Sequence, residues 1–349
     1  MPKLINEKKG LILDFIKENP SSSSNEIYNG LKAEIGLATI KRALQKLIVD
    51  SWVVSTGNGR ATKYQISKGY EILGPADVEA YFTKDIDDRK IRNSFNHSLM
   101  DDVLKTVAIF TDNELSALNG YQQMYAANIA KLTHPEYQKE LERLAIDLSW
   151  KSSQIEGNTY SLLETERLLK DKETALGKTK DEAVMLLNHK EALDFIIANP
   201  AYIHPISVSV IEDIHSILIK DLGISRNIRQ RRGGISGTNY RPLENEFQIK
   251  EALGEMCTLI NQQQNVFAKA LLALVLLSYI QAFADGNKRT ARIISNAILV
   301  NNKYCPISFR TVNSIDYKKA MLIFYEQNNI TAFKKIFIDQ FRFAVENYF

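Results

Sequence analysis

A chain of 349 residues, 45% hydrophobic and 24% charged, has the composition of ordinary globular material and enough length for one large core and a smaller domain. Its net charge of +3 is too small to imply a polyanion partner for the whole molecule. Cys257 and Cys305, the only cysteines, exclude a disulfide framework or a zinc cluster, and no histidine pair has ligand spacing.

The N-terminal segment lacks the apolar core of a signal peptide, and the longest apolar run, 270–280, is about half of the roughly 20 residues a membrane span needs. These features fit a protein of the reducing cytoplasm. Charge is unevenly distributed, with eleven Lys and Arg against six Asp and Glu in residues 1–70.

Residues 7–18 are helical by period, with Leu11, Ile12, Phe15 and Ile16 on one stripe. The serines at 21–24 can cap a second helix over 25–32. A third helix over 38–50 buries Ile40, Leu44, Leu47 and Ile48 and turns Lys41, Arg42 and Lys46 outward. Two strands, 52–56 and 62–66, follow, joined by a turn through Arg60. Three helices and a hairpin resemble a winged helix-turn-helix domain over residues 1–70. That resemblance implies DNA contact through Lys41, Arg42, Lys46 and Arg60, the third helix in the major groove and the wing on phosphate; the alternative is a solvated basic face on a module that docks onto protein.

Residues 71–106 mix apolar and charged positions and read as a helical connector. From 107 onward nearly every segment is helix-periodic, so the fold class expected is mainly α. Within this region the spacing of Ser152 and Glu156 by four puts both on one helical face, and that helix ends at Gly157, ahead of a capping box at Ser161 and Glu164.

Between two later helices the segment 231–242 reads Arg-Arg-Gly-Gly-Ile-Ser-Gly-Thr-Asn-Tyr-Arg-Pro, glycine-rich with a β-like centre. It is either a hairpin or an ordinary loop, and Tyr240 either faces a groove or anchors the loop.

Residues 283–292, Phe-Ala-Asp-Gly-Asn-Lys-Arg-Thr-Ala-Arg, place a carboxylate, a glycine, an amide and three cations at the start of a helix expected over 290–300. A helix N-terminus offers backbone N–H groups and a positive dipole end to an anion. Gly286 permits close approach, Arg289 and Arg292 add forked contacts, and Asp285 is a hard oxygen ligand suited to Mg²⁺ between phosphates. The pattern is a polyphosphate cradle.

This stretch resembles the motif of the Fic family, His-x-Phe-x-(Asp/Glu)-Gly-Asn-(Gly/Lys)-Arg-x-x-Arg, over roughly residue 148 to the C-terminus. Phe283, Asp285, Gly286, Asn287, Lys288, Arg289 and Arg292 match, and Gln281 occupies the position of the catalytic histidine. The resemblance implies a helical domain over 107–349 with a small β-hairpin flap, ATP and Mg²⁺ at residues 285–292, and transfer of AMP to a Ser, Thr or Tyr hydroxyl of a protein target. It also implies that Ser152, Glu156 and Gly157 belong to an inhibitory motif whose carboxylate pairs with Arg292. The flap, with Gly234, Ile235, Gly237, Thr238 and Tyr240, would pair with extended target backbone.

A glutamine amide has no usable basic lone pair, so transfer is expected to be weak or lost. None of His97, His134, His189, His204 and His215 lies in the motif, and Lys288 either crowds the α-phosphate position or adds charge to it. Two alternatives stand beside AMP transfer: a nucleotide-sensing DNA-binding regulator, and a hydrolase that removes AMP with Glu156 orienting water. DNA and a second copy of the chain, as a homodimer, are the further candidate partners, and no membrane contact is expected.

Overall fold

The computed structural model describes residues 2–32 and 34–349, with side chains from residue 7 onward within that range. The chain divides into two compact units. One is built from Met1–Ala76 with Thr106–Thr111, the other from Asp77–Lys105 with Asp112–Phe349. The segment read as a connector therefore packs for most of its length within the second unit.

The first unit has three helices, α1 (Pro2–Glu18), α2 (Ser24–Leu31) and α3 (Leu37–Val49), then strands β1 (Val53–Thr56) and β2 (Lys63–Ile66) and a short α4 (Lys68–Leu73). Ser23 caps α2 through a reciprocal pair with Glu26: its backbone N–H donates to the carboxylate at 2.6 Å and its Oγ accepts from the Glu26 N–H. The strands are antiparallel, with Val53 opposite Ile66 and Thr56 opposite Lys63. Ile12, Ile16, Ile27, Ile40, Leu44, Leu47 and Val53 make the core, as the helical periods require. Ile48 departs from expectation: it is exposed rather than buried, because the stripe set by residues 40, 44 and 47 leaves position 48 at its margin.

The second unit contains α5 (Val78–Phe82), and α6 (Leu104–Thr106) closes the excursion from 77. Ten longer helices follow: α7 (Asp112–Ile129), α8 (His134–Ile155), α9 (Leu162–Asp171), α10 (Lys180–Ala198), α11 (Val208–Leu218), α12 (Glu246–Gln262), α13 (Val266–Ile280), α14 (Asn287–Asn301), α15 (Ser314–Gln327) and α16 (Thr331–Tyr348). The apolar run of α13 is a buried helix, enclosed on all sides from Ala270 to Ile280. Among the described residues no helix is long and apolar enough to cross a membrane.

Three details of this architecture matter for the site. Helix α8 runs on to Ile155, so Ser152 is helical and Glu156 is its C-cap, with Gly157 in the left-handed region at φ 102°. Helix α14 begins at Asn287, three residues before its expected start, because Gly286 takes φ 81° and serves as N-cap. The hairpin expected over 231–242 does not form. Among the described residues, 232–239 make no backbone–backbone hydrogen bonds, and the chain turns at Ser236 and Gly237 without a ladder. The glycines of this stretch leave it few side chains to pair across strands, and the molecule's two-stranded sheet lies in the first unit.

Candidate functional site

The loop between α13 and α14 is held from inside. Gln281 ends α13 in the left-handed conformation, φ 53°. The Asn287 side chain then clasps the loop: Oδ1 accepts from the Phe283 N–H at 2.8 Å, and Nδ2 donates to the Phe283 carbonyl at 2.8 Å and to Gln281 Oε1 at 3.3 Å. Asp285 accepts the Gly286 N–H on Oδ1, and Arg289 Nη2 donates to Oδ2 at 3.1 Å.

Because α14 starts at Asn287, Lys288 and Arg292 fall one helical turn apart on one face. Both reach Glu156. Its Oε1 accepts from Arg292 Nη2 at 3.0 Å and its Oε2 from Lys288 Nζ at 3.2 Å. Ser152, one turn before Glu156 on α8, accepts from Arg292 Nε on its Oγ at 2.7 Å and from Nη2 on its carbonyl at 2.9 Å. The Arg292 guanidinium is fully buried, 5.3 Å from the centre of the Tyr317 ring. Burial pushes the Glu156 carboxyl up, but the charges of Arg292 and Lys288 outweigh it and hold the group below its ordinary value.

Beside this ion triad lies a cavity of about 570 Å³, lined by Glu156, Gln281, residues 284–288 and the loop 234–237, and closed by Tyr317, Met321 and Tyr325 of α15. The buried donors Arg289 Nε, Arg289 Nη1 and Arg292 Nη1 have no hydrogen-bond partner. Such donors are costly to leave unsatisfied, and a phosphate group is a chemically matched acceptor for them. Asp285 has its side chain 61% exposed, so its carboxylate has room for a hydrated Mg²⁺, which takes few ligands from protein and the rest from water and phosphate.

The other expected residues are placed as follows. Gly234, Ile235 and Gly237 line this cavity, whereas Thr238 and Tyr240 line a second one, of about 1090 Å³, on the other side of the same loop. Tyr240 is the loop's anchor: its ring is buried and stacks on Tyr279 at 4.9 Å, and its hydroxyl donates to the Tyr279 carbonyl. In the first unit Lys41, Arg42, Lys46 and Arg60 are all exposed.

Two residues that sequence reasoning did not single out support the site. The His215 ring of α11 stacks on Phe283 at 3.7 Å, and its Nε2–H donates to the Asp285 carbonyl at 3.0 Å. It stands behind the loop rather than in the cavity, so no histidine lines the space beside Gln281. Burial lowers its pKa, partly offset by that carbonyl. Arg229 donates Nε to the Gln281 carbonyl at 2.6 Å, Nη1 to the Arg231 carbonyl at 2.8 Å and Nη2 to the Leu243 carbonyl. It ties both ends of the glycine-rich loop to the motif, and no sequence pattern marks it.

Residues 205–299 match the Fic/DOC family. The chain carries a Fic domain. Beyond the motif, the protein adenylyltransferase Fic of Nematostella vectensis is 30% identical over 172 residues, which is 48% of this chain and 40% of the relative. The protein adenylyltransferase fic-1 of Caenorhabditis briggsae is 25% identical over 169 residues, 47% of this chain and 33% of the relative. This chain thus spans well under half the length of these curated relatives.

Solved structures agree in fold. Fic-1 of C. elegans, residues 134–508, superposes with a TM-score of 0.59 at 19% identity over 68% of this chain and 72% of that one. A Fic domain containing signaling protein from Bacteroides thetaiotaomicron gives 0.57 at 18% identity, covering 66% and 94%. The mainly helical fold is that of the Fic proteins.

Proposed function

We propose that the Fic domain binds Mg-ATP in the cavity between α8, α14 and α15, is held in check by Glu156, and transfers AMP to a protein hydroxyl weakly or not at all because Gln281 stands where a base is needed. One observation carries the reading: a carboxylate from the chain itself neutralises Arg292 and Lys288 beside a cavity lined by Glu156 and Lys288, while buried guanidinium donors of Arg289 and Arg292 remain unsatisfied. A polyphosphate would compete for the same cations, so an occupied Glu156 and a productively bound phosphate tail exclude each other.

Within that site each residue has a stated role. Arg289 and Arg292 would grip phosphate oxygens through forked, charge-assisted bonds. The N-terminus of α14, with Gly286 as its cap, would add backbone N–H groups and the helix dipole. Asp285 would hold Mg²⁺, which when bound neutralises phosphate charge. Lys288 pairs with Glu156 in the ground state and has the reach of a phosphate contact once released. The backbone of 234–236, beside the cavity and outside any ladder, suits an extended target segment.

Gln281 limits the chemistry. Its Nε2 donates to the Ser278 carbonyl at 2.6 Å and its Oε1 accepts from Asn287, so neither end is a proton acceptor for an incoming hydroxyl. Loss of a positioned base costs about 10²- to 10⁴-fold. Labelling with α-labelled ATP, comparing wild type with Gln281→His and Glu156→Gly, tests this. Strong labelling by the wild type, unchanged by Gln281→His, contradicts a limiting role for position 281.

A second reading is favoured by the exposed basic set on α3 and the β1–β2 turn, Lys41, Arg42, Lys46 and Arg60, on a winged-helix-like unit: a DNA-binding regulator that senses nucleotide through a Fic domain lacking its base. DNA affinity would then fall steeply with salt and shift on adding ATP. Absence of any nucleotide effect on DNA binding removes that coupling.

A further inference from the structure

The loop 233–241 is a thin wall, since Gly234 and Ile235 line both cavities. It has no backbone ladder over 232–239, yet its glycines leave it little side-chain packing of its own. Something else must fix its position.

That support comes from the segment 86–96, which runs along the loop as a strap. Arg89, on the strap, has its side chain 5% exposed and serves two acceptors at once. Its Nη1 donates to the fully buried Glu326 carboxylate of α15 at 3.1 Å, and its Nη2 donates to the Gly237 carbonyl at 2.9 Å. Gly237 sits at the loop's turn, φ 88°, and lines the candidate nucleotide cavity. Glu326 is held in turn by the Tyr81 hydroxyl, and its backbone carbonyl accepts from the Arg92 N–H at 2.8 Å. Two further contacts join strap and loop: Asn239 Nδ2 donates to Asp87 Oδ1 at 3.0 Å, and the Arg241 N–H donates to the Asn93 carbonyl at 3.1 Å, within a single parallel bridge between Ser94 and Arg241.

We propose that Arg89 is a positioning residue for the glycine-rich loop, its guanidinium clamping the Gly237 carbonyl to Glu326 so that the wall of the cavity keeps one place. A planar fork with several donors is what the position requires, because the two acceptors belong to different elements and a lysine's point charge satisfies one of them well. The inference goes beyond the functional reading. It concerns the placement of the loop and holds whether or not AMP is transferred.

Hydrogen exchange on the full-length protein, without nucleotide, tests it. The double variant Arg89→Met/Glu326→Gln removes the clamp without leaving a buried carboxylate unpaired. It is expected to raise exchange of the Arg241 amide about tenfold while amides of α14 keep their wild-type rates, the signature of local rather than global opening. Arg89→Lys, which keeps the charge for Glu326, is expected to raise exchange at Arg241 in the same local way. Unchanged exchange at Arg241 in both variants overturns the proposal, as does an equal increase across α14, which would make Arg89 a general stabilising residue only.

Discussion

Glu156 and Arg292 form an ion pair of 3.0 Å in which the guanidinium is wholly buried and the carboxylate is 19% exposed. Such a pair is sensitive to the loss of one partner, since the orphaned buried charge costs about 3–5 kcal/mol, yet the carboxylate is close enough to solvent to be displaced by a competing anion. Lys288 adds a second cation at 3.2 Å. Since the folded pKa of Glu156 is depressed below its ordinary 4.5, the pair's contribution is present above that value and lost as pH falls through the lower, folded one. Between pH 5 and 8 the lock is constant.

Ser152 orients Arg292 from the helix turn before Glu156. Ser152→Ala removes a buried hydrogen bond to a charged group and is expected to destabilise the protein by about 1.5–3 kcal/mol. Urea unfolding reads this as a lower midpoint with unchanged slope. A midpoint equal to wild type would show that Ser152 is dispensable to the arginine's placement.

His189, on α10, is fully buried with both ring nitrogens unpartnered. Burial, reinforced by Arg292 and Arg289, drives its pKa well below the ordinary 6.5, so the folded state keeps it neutral. The unfolded chain therefore binds more protons below pH 6.5, and stability falls on acidification by up to about 1.36 kcal/mol per pH unit from this one group. Thermal midpoints between pH 7 and pH 5 should show this slope, and His189→Phe should flatten it. An equal slope in both proteins removes His189 as its source.

Gly286 is required by conformation and by space. It has φ 81°, and a Cβ there would meet the His215 ring and Ile219 at 3.3 Å. Gly286→Ala is expected to cost about 1–2 kcal/mol for the left-handed backbone alone, and to weaken nucleotide binding by pushing the loop off His215. His215→Ala makes room without relieving the backbone, so the double variant should recover only part of the loss. Full recovery in the double variant would assign the whole effect to the clash.

Much of this was legible in the sequence. The spacing of Ser152 and Glu156 put both on one helical face, which is how the structure uses them, whereas Lys288 shares a face with Arg292 only because α14 starts three residues earlier than expected. What the sequence could not show is what long-range packing decides. Arg229, His215 and Arg89 act on residues 52, 70 and 148 positions away, and each is a single residue without a local pattern. The hairpin expectation at 231–242 failed because strand pairing depends on neighbours the local sequence does not name; the strap at 86–96 supplies the hydrogen bonds a ladder would have made.

The central claim is that the cradle of residues 285–292 takes a nucleotide's phosphates in competition with Glu156. Calorimetric titration of Mg-ATP into wild type, Glu156→Gln and Arg289→Ala tests it. The account predicts that Glu156→Gln binds on the order of tenfold more tightly than wild type, about 1.4 kcal/mol, and that Arg289→Ala loses measurable binding. Equal affinity in all three proteins, or binding that survives Arg289→Ala unchanged, would contradict it.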